Sequence, residues 1–241
     1  MSEGKLVLYG DYGSQPTRAC FVFLRMNKVP FEFKEVRVTK LEQYTPEFKK
    51  VNPNAKVPAI SDGPVNLFES HTILRYLHDS RKLADHWYPA DPRRRAKVDE
   101  YLDWHHNGLR LGAGGYFFRI YISPMTGKPA SDELIAETLV IFKKSLGLLE
   151  NYWLKETPYL CGNKITIADL SAACELAQST AVPLLVETMK KYPKVRAWHE
   201  RMLEIPEMKE VHDKAIPGLK KFAQIMEEKR AKEAKEPNPK L

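Results

Sequence analysis

A chain of 241 residues fits one large domain or two small ones, and its 43% hydrophobic content supports a core without disulfide or metal staples. Three cysteines (Cys20, Cys161, Cys174) make no paired metal or redox spacing, and no apolar run is long enough to span a bilayer, so a metal site, a disulfide framework and a membrane protein are all set aside. The net charge of +7 and pI of about 9.1 invite a nucleic-acid reading, but the basic residues are interleaved with 31 acids and cluster only at Arg93-Arg94-Arg95 and in the tail, so no nucleic-acid partner is expected.

In chain order, residues 5–9 read as a buried strand and 14–26 as a helix with Pro16 near its start. Residues 31–38 read as a strand, and Thr45-Pro46-Glu47 opens a second helix. Residues 57–60 and 65–69 are two strands around the turn Ser61-Asp62-Gly63-Pro64, and 70–78 is a helix. The order β-α-β-α-β-β-α implies a parallel pair extended by an antiparallel hairpin. After Tyr88-Pro89-Ala90-Asp91-Pro92 the strand signal fades, and 94–111, 131–154, 166–180 and 194–203 show helical spacing, with Pro206 and Pro217 punctuating the end. The expected organisation is an α/β thioredoxin-like domain over 1–82, an all-α domain over 93–225, and a charged, fraying tail over 226–241.

Three junctions carry possible chemistry. Ser14-Gln15-Pro16-Thr17 stands at the first strand-to-helix turn, where redox proteins of this layout place Cys-x-x-Cys. Without sulfur it offers one hydroxyl at a helix N-terminus, which either caps the helix or holds an anion. Lys56-Val57-Pro58-Ala59 puts a proline at a strand start, where a cis bond presents the Val57 backbone to an extended peptide ligand; an ordinary strand-end proline is the alternative. Glu69-Ser70 spans a strand-helix junction, where an acid, a hydroxyl and helix amides can grip an amino-acid head group, or where the serine simply caps. Thr166-Ile167-Ala168-Asp169 is a capping box with a folding role. The adjacent His105 and His106 diverge on a helix and cannot share a metal; the four tryptophans read as core. Tyr116 and Phe117 follow Gly112-Ala113-Gly114-Gly115, a run that implies a backbone break beside a cleft. They line an apolar pocket or simply pack.

The conjunction of these junctions resembles the theta class of glutathione S-transferases. It is carried by Ser14-Gln15-Pro16-Thr17-Arg18-Ala19, Val51-Asn52-Pro53, Lys56-Val57-Pro58-Ala59-Ile60, Phe68-Glu69-Ser70, Tyr88-Pro89, Tyr101-Leu102-Asp103-Trp104-His105-His106 and Ile165-Thr166-Ile167-Ala168-Asp169-Leu170. The resemblance implies that Ser14 hydrogen-bonds the glutathione sulfur, Val57 pairs with the cysteinyl backbone beside a cis Pro58, and Glu69 with Ser70 hold the γ-glutamyl group. It places Gln43 near the glycyl carboxylate, with Lys56 supplying positive charge, Asn107 toward a partner's glutathione, and Arg110 near the sulfur. It implies a transferase acting on small hydrophobic electrophiles, with peroxidase activity beside it. Glutathione would be co-substrate, with no other cofactor and no metal, and the protein a homodimer. A non-catalytic ligand-binding protein on the same fold is the alternative, disfavoured by the intact Ser14, Val57-Pro58 and Glu69-Ser70 set. The polar opening Met-Ser-Glu-Gly-Lys lacks a secretory signal, so a cytoplasmic location is expected. The closing Pro239-Lys240-Leu241 only faintly echoes a peroxisomal address.

Overall fold

The computed structural model describes residues 5–233. Four short strands, β1 (Val7–Gly10), β2 (Glu32–Glu35), β3 (Ala59–Asp62) and β4 (Val65–Phe68), form one sheet in the order β2-β1-β3-β4. β1 runs parallel to β2 and antiparallel to β3, and β3 is antiparallel to β4. Leu8 is opposite Phe33 on one side and Ile60 on the other.

Between the strands lie α1 (Gln15–Met26), α2 (Pro46–Val51) and α3 (Ser70–Ser80). The run Ala19-Cys20-Phe21-Val22-Phe23-Leu24 is apolar on every face, and all six side chains are buried. A helix apolar all round must be covered all round. α1 is covered by the sheet, by α7 (Ile167–Ser179) and by α10 (Pro206–Glu233). α7 is likewise buried along all 13 residues, and its alanines let α1 approach closely. The segment joining the two halves is packed rather than loose: Trp87 meets Phe23 edge-on at 5.3 Å.

The helical half adds α4 (Pro92–Asn107), α5 (Leu109–Phe117), α6 (Asp132–Leu148), α8 (Pro183–Met189) and α9 (Pro193–Leu203). The expected helix over 94–111 is two helices, because the chain turns at Gly108 (φ −101°, ψ −104°), where a Cβ would strike the Trp104 ring. The run Gly112-Ala113-Gly114-Gly115 is not the expected backbone break. It lies inside α5, and a Cβ at Gly112 would come within 2.6 Å of the Phe142 backbone. Gly112 serves close packing of α5 on α6, and Gly114 makes room for the Glu175 carboxylate and the Gln15 amide. The expected helix over 131–154 ends α-helical geometry at Leu148 and continues as a π turn, Leu149–Trp153.

Two helices exceed the sequence reading. α8 was not anticipated, and α10 runs through Pro217 and past residue 226 to Glu233. The expected tail over 226–241 therefore begins as ordered helix: Met226 is buried and Tyr121 donates to Glu227 Oε1 at 2.6 Å. Its residues are strong helix formers with no proline before Pro237, so a charged composition did not mean a frayed one. The remainder of that tail, including Pro239-Lys240-Leu241, lies outside the described residues. No described helix is long and apolar enough to cross a membrane.

Candidate functional site

Ser14 is the N-cap of α1, with extended backbone (φ −88°, ψ 118°) and its Oγ accepting from Thr17 N at 3.4 Å. That bond uses an oxygen lone pair and leaves the hydroxyl proton free to be donated. The loop before it is fixed on both sides. Asp11 accepts from Gly13 N at 2.8 Å and Val38 N at 2.9 Å, and Ser14 N donates to the Asp11 carbonyl at 2.9 Å. Arg18, fully buried, donates to the Tyr12 carbonyl at 2.7 Å and to the Cys174 carbonyl at 3.2 Å, tying loop to α7. Burial holds its guanidinium below the usual arginine range.

Beside α1 opens a cavity of about 210 Å³, walled by Lys56, Val57, Pro58, Glu69, Ser70 and the C-terminal half of α4. The Val57-Pro58 bond is cis. The Asn52 side chain holds the Lys56 carbonyl at 2.6 Å and so fixes this segment. Glu69 precedes α3 with φ +69°, an uncommon conformation for a side-chain-bearing residue that costs roughly 1–3 kcal/mol and clusters at ligand sites. Lys56 supplies positive charge and Glu69 negative charge, while Arg110 and Glu175 are paired with each other, a set suited to a ligand bearing both ammonium and carboxylate groups.

A second cavity of about 1140 Å³ adjoins it. Ser14 and Gln15 stand on its wall, opposite Leu111, Phe117, Leu219 and Phe222. His106 and Arg110 line both cavities, and they are the residues the two linings share. Arg110 Nη1 donates to Glu175 Oε2 at 3.1 Å, and Gln15 Nε2 donates to Glu175 Oε1 at 3.1 Å. One buried carboxylate thus braces the first turn of α1 and the cation on α5. Burial raises the Glu175 pKa, while Arg110 and Arg18 oppose that rise. His71 packs on His105 and His106 at ring separations of 5.2 and 4.5 Å. Burial depresses all three, His71 to about 3, helped by Arg110 and, at His71 and His105, by neighbouring histidines. The rings are neutral near pH 7, and no described group of side chains is arranged to hold a metal.

Of the residues expected from sequence, Lys56, Val57, Pro58, Glu69 and Ser70 line the smaller cavity, Ser14 and Phe117 the larger, and Arg110 both. Three lie elsewhere. Gln43 is buried in a short 3-10 turn, its Oε1 without a partner, and is absent from both linings. Asn107 is exposed at the end of α4. Tyr116 is buried beside Phe117 but faces the core, not the cavity. Sequence reasoning missed Glu175, Arg18 and the part of His71. The available signal for Glu175 was an acid in the middle of a small-residue helix whose other acid, Asp169, is accounted for by the capping box.

The family description "Glutathione S-transferase, N-terminal domain" matches residues 4–79, and "Glutathione S-transferase, C-terminal domain" matches 112–206. Glutathione S-transferase T1 of Arabidopsis thaliana is 41% identical over 216 residues, 87% of this chain and 88% of that protein. Glutathione S-transferase T2 of the same plant is 40% identical over 225 residues, 90% of this chain; the chain spans only 38% of that longer relative. A solved human theta-class glutathione transferase, in complex with the glutathione conjugate of 1-menaphthyl sulfate, superposes with a TM-score of 0.82 at 32% identity, covering 98% of this chain and 94% of that one.

Proposed function

The chain belongs to the theta class of the glutathione S-transferase family, and from that premise we propose that it ionises the thiol of glutathione and transfers the sulfur to electrophiles held in the larger cavity. Glutathione occupies the smaller cavity. Glu69 takes its γ-glutamyl ammonium, the Ser70 hydroxyl and the first amides of α3 take the adjoining carboxylate, and the Val57 backbone pairs with the cysteinyl residue. The thiol then points to the junction of the two cavities.

The observation that carries this reading is the placement of Ser14 at the end of α1 on the electrophile side, with a free hydroxyl proton and with Arg110 on both linings. A thiol of pKa about 8.5 is only a few per cent thiolate at neutral pH. A hydrogen bond from Ser14, the helix N-terminus and the Arg110 charge each favour the anion, and every 1.4 kcal/mol of preference is about a tenfold gain in the ionised fraction. Ser14 acts as donor and not as base, since among the described residues no histidine or carboxylate hydrogen-bonds its hydroxyl. The sulfur lone pair attacks the electrophilic carbon, the C–S bond forms, and the leaving group departs with its electron pair. Organic hydroperoxides are a second substrate class for the same thiolate. A cytoplasmic homodimer is the expected setting.

The test is conjugation of a neutral alkyl bromide or epoxide by the purified protein with glutathione. Turnover well above the uncatalysed rate supports the assignment; retention on immobilised glutathione with no conjugation of any electrophile overturns it in favour of a binding protein.

A further inference from the structure

The larger cavity is apolar along one side and cationic at its far end. Leu111, Phe117 and Phe118 follow one another along α5 and the π turn after it (Phe118–Ile122), and Phe118 is 52% exposed because it opens onto this space. Four cations line the cavity, Arg110, Arg119, Lys128 and Lys214, against one acid, Asp11. The cations are not equivalent. Arg110 is paired with Glu175 and Lys214 with Glu210, the latter at 3.0 Å. Asp11 is already engaged by the Gly13 and Val38 amides. Arg119 gives one N–H to the Leu134 carbonyl at 2.9 Å, and neither it nor Lys128 has an acidic partner among the described residues.

Two uncompensated positive charges on an apolar cavity favour an anion bound there. Their position is informative. Arg119 follows Arg110 by nine residues along α5 and the π turn, about two and a half turns and roughly 13 Å of axial rise, and both side chains reach the same cavity. The lining residues between them, Leu111, Phe117 and Phe118 with two glycines, are apolar.

We propose that the larger cavity selects amphipathic electrophiles: an apolar chain or ring system whose reacting atom lies between Ser14 and Arg110, and whose terminal carboxylate lies on Arg119 and Lys128. This rests on the transferase reading above and adds the substrate class. An extended decanoyl chain matches the reach between the two ends. For an ω-bromoalkanoate the thiolate sulfur displaces bromide, which leaves with the C–Br electron pair, while the carboxylate is untouched.

The experiment compares ω-bromodecanoate, ω-bromohexanoate and bromodecane as electrophiles for the wild type and for the Arg119→Gln/Lys128→Gln double variant. It adds a calorimetric titration with unreactive decanoate and decanamide. The wild type is expected to prefer ω-bromodecanoate over bromodecane by about tenfold in kcat/KM, and decanoate over decanamide by a similar factor in affinity. The double variant should lose both preferences, with bromodecane turnover changed by less than about threefold, within the effect of one surface contact. ω-Bromohexanoate, too short to reach, should gain little from the two cations. Equal treatment of charged and neutral ligands by the wild type, or a preference that survives the double substitution, overturns the proposal. Failure of all three bromides to react counts against the transferase reading instead, and the titration then still decides whether this end of the cavity takes a carboxylate.

Discussion

Arg110 and Glu175 meet at 3.1 Å where the two cavities join, and the pair binds α5 to α7 through a carboxylate that is 1% exposed. Because the same carboxylate accepts from Gln15, it also sets the first turn of α1, one residue from Ser14. A buried acceptor serving two donors from different elements is a positioning device. Glu175→Gln keeps the volume but offers one acceptor oxygen and turns a charge-assisted bond into a neutral one. Its expected effect is a loss of about tenfold in kcat per active site with a smaller change in KM for glutathione. Steady-state kinetics with a neutral electrophile, referred to the fraction of folded protein that binds glutathione, measures this; a kcat per active site equal to that of the wild type would contradict the positioning role.

Asp169 is fully buried and accepts four hydrogen bonds: from Thr166 N and Thr166 Oγ1, each at 2.9 Å, from Leu160 N at 2.9 Å and from Trp198 Nε1 at 3.0 Å. It closes the capping box of α7 and also locks α9 to it. Asp169→Ala leaves four buried donors unpaired and should cost roughly 3–5 kcal/mol, lowering Tm by roughly 10 °C. Thermal unfolding checks it, and a shift of only a degree or two would reduce the network to an ordinary helix cap.

Four buried histidines are held neutral by desolvation: His71 and His212 at about 3, His199 at about 4, and His105 well below its ordinary value. In the unfolded chain each titrates near 6.5. Between about 6.5 and about 4 the unfolded state therefore binds more protons than the folded one, so stability is lost as pH falls through this window, by at most about 1.4 kcal/mol per pH unit for each histidine. Glu175 and Asp169, raised by burial, bind protons in the folded state and oppose the loss toward its acid end. Tm should fall steadily from neutrality toward pH 5, and His212→Gln should flatten the slope. A Tm independent of pH across this range would show that the histidines are hydrated in the folded protein.

The order of strands and helices in the first eighty residues was legible because each junction is marked by a local signal: Ser14 before Pro16, Val57 before Pro58, Glu69 before Ser70. Those same junctions stand at the cavities, because each is marked locally, whereas Gln43 and Asn107, expected from the resemblance alone, lie on neither lining. Along α5 the expectation was met at Arg110 and Phe117 and missed at Tyr116. Gly112 looked like a chain break and is a close helix contact, since sequence alone does not say which neighbour a missing Cβ admits. Tyr116 and Phe117 are adjacent, and which of two neighbouring side chains on a helix faces the cavity depends on the crossing of α5 with α6 and α10. Glu175 pairs across 65 residues with Arg110 and across 160 with Gln15, and no local pattern announces such a partnership.

The central claim is that the Ser14 hydroxyl stabilises the bound thiolate, and ultraviolet titration of enzyme-bound glutathione tests it most directly. In the wild type the thiol should ionise about one to two units below its free value of about 8.5. In Ser14→Ala it should rise by about one unit, stopping short of the free value because the helix N-terminus and Arg110 remain, with glutathione still bound and turnover at neutral pH reduced by up to about tenfold. An alanine variant whose bound thiol ionises as in the wild type, and which conjugates at the wild-type rate, would contradict the account.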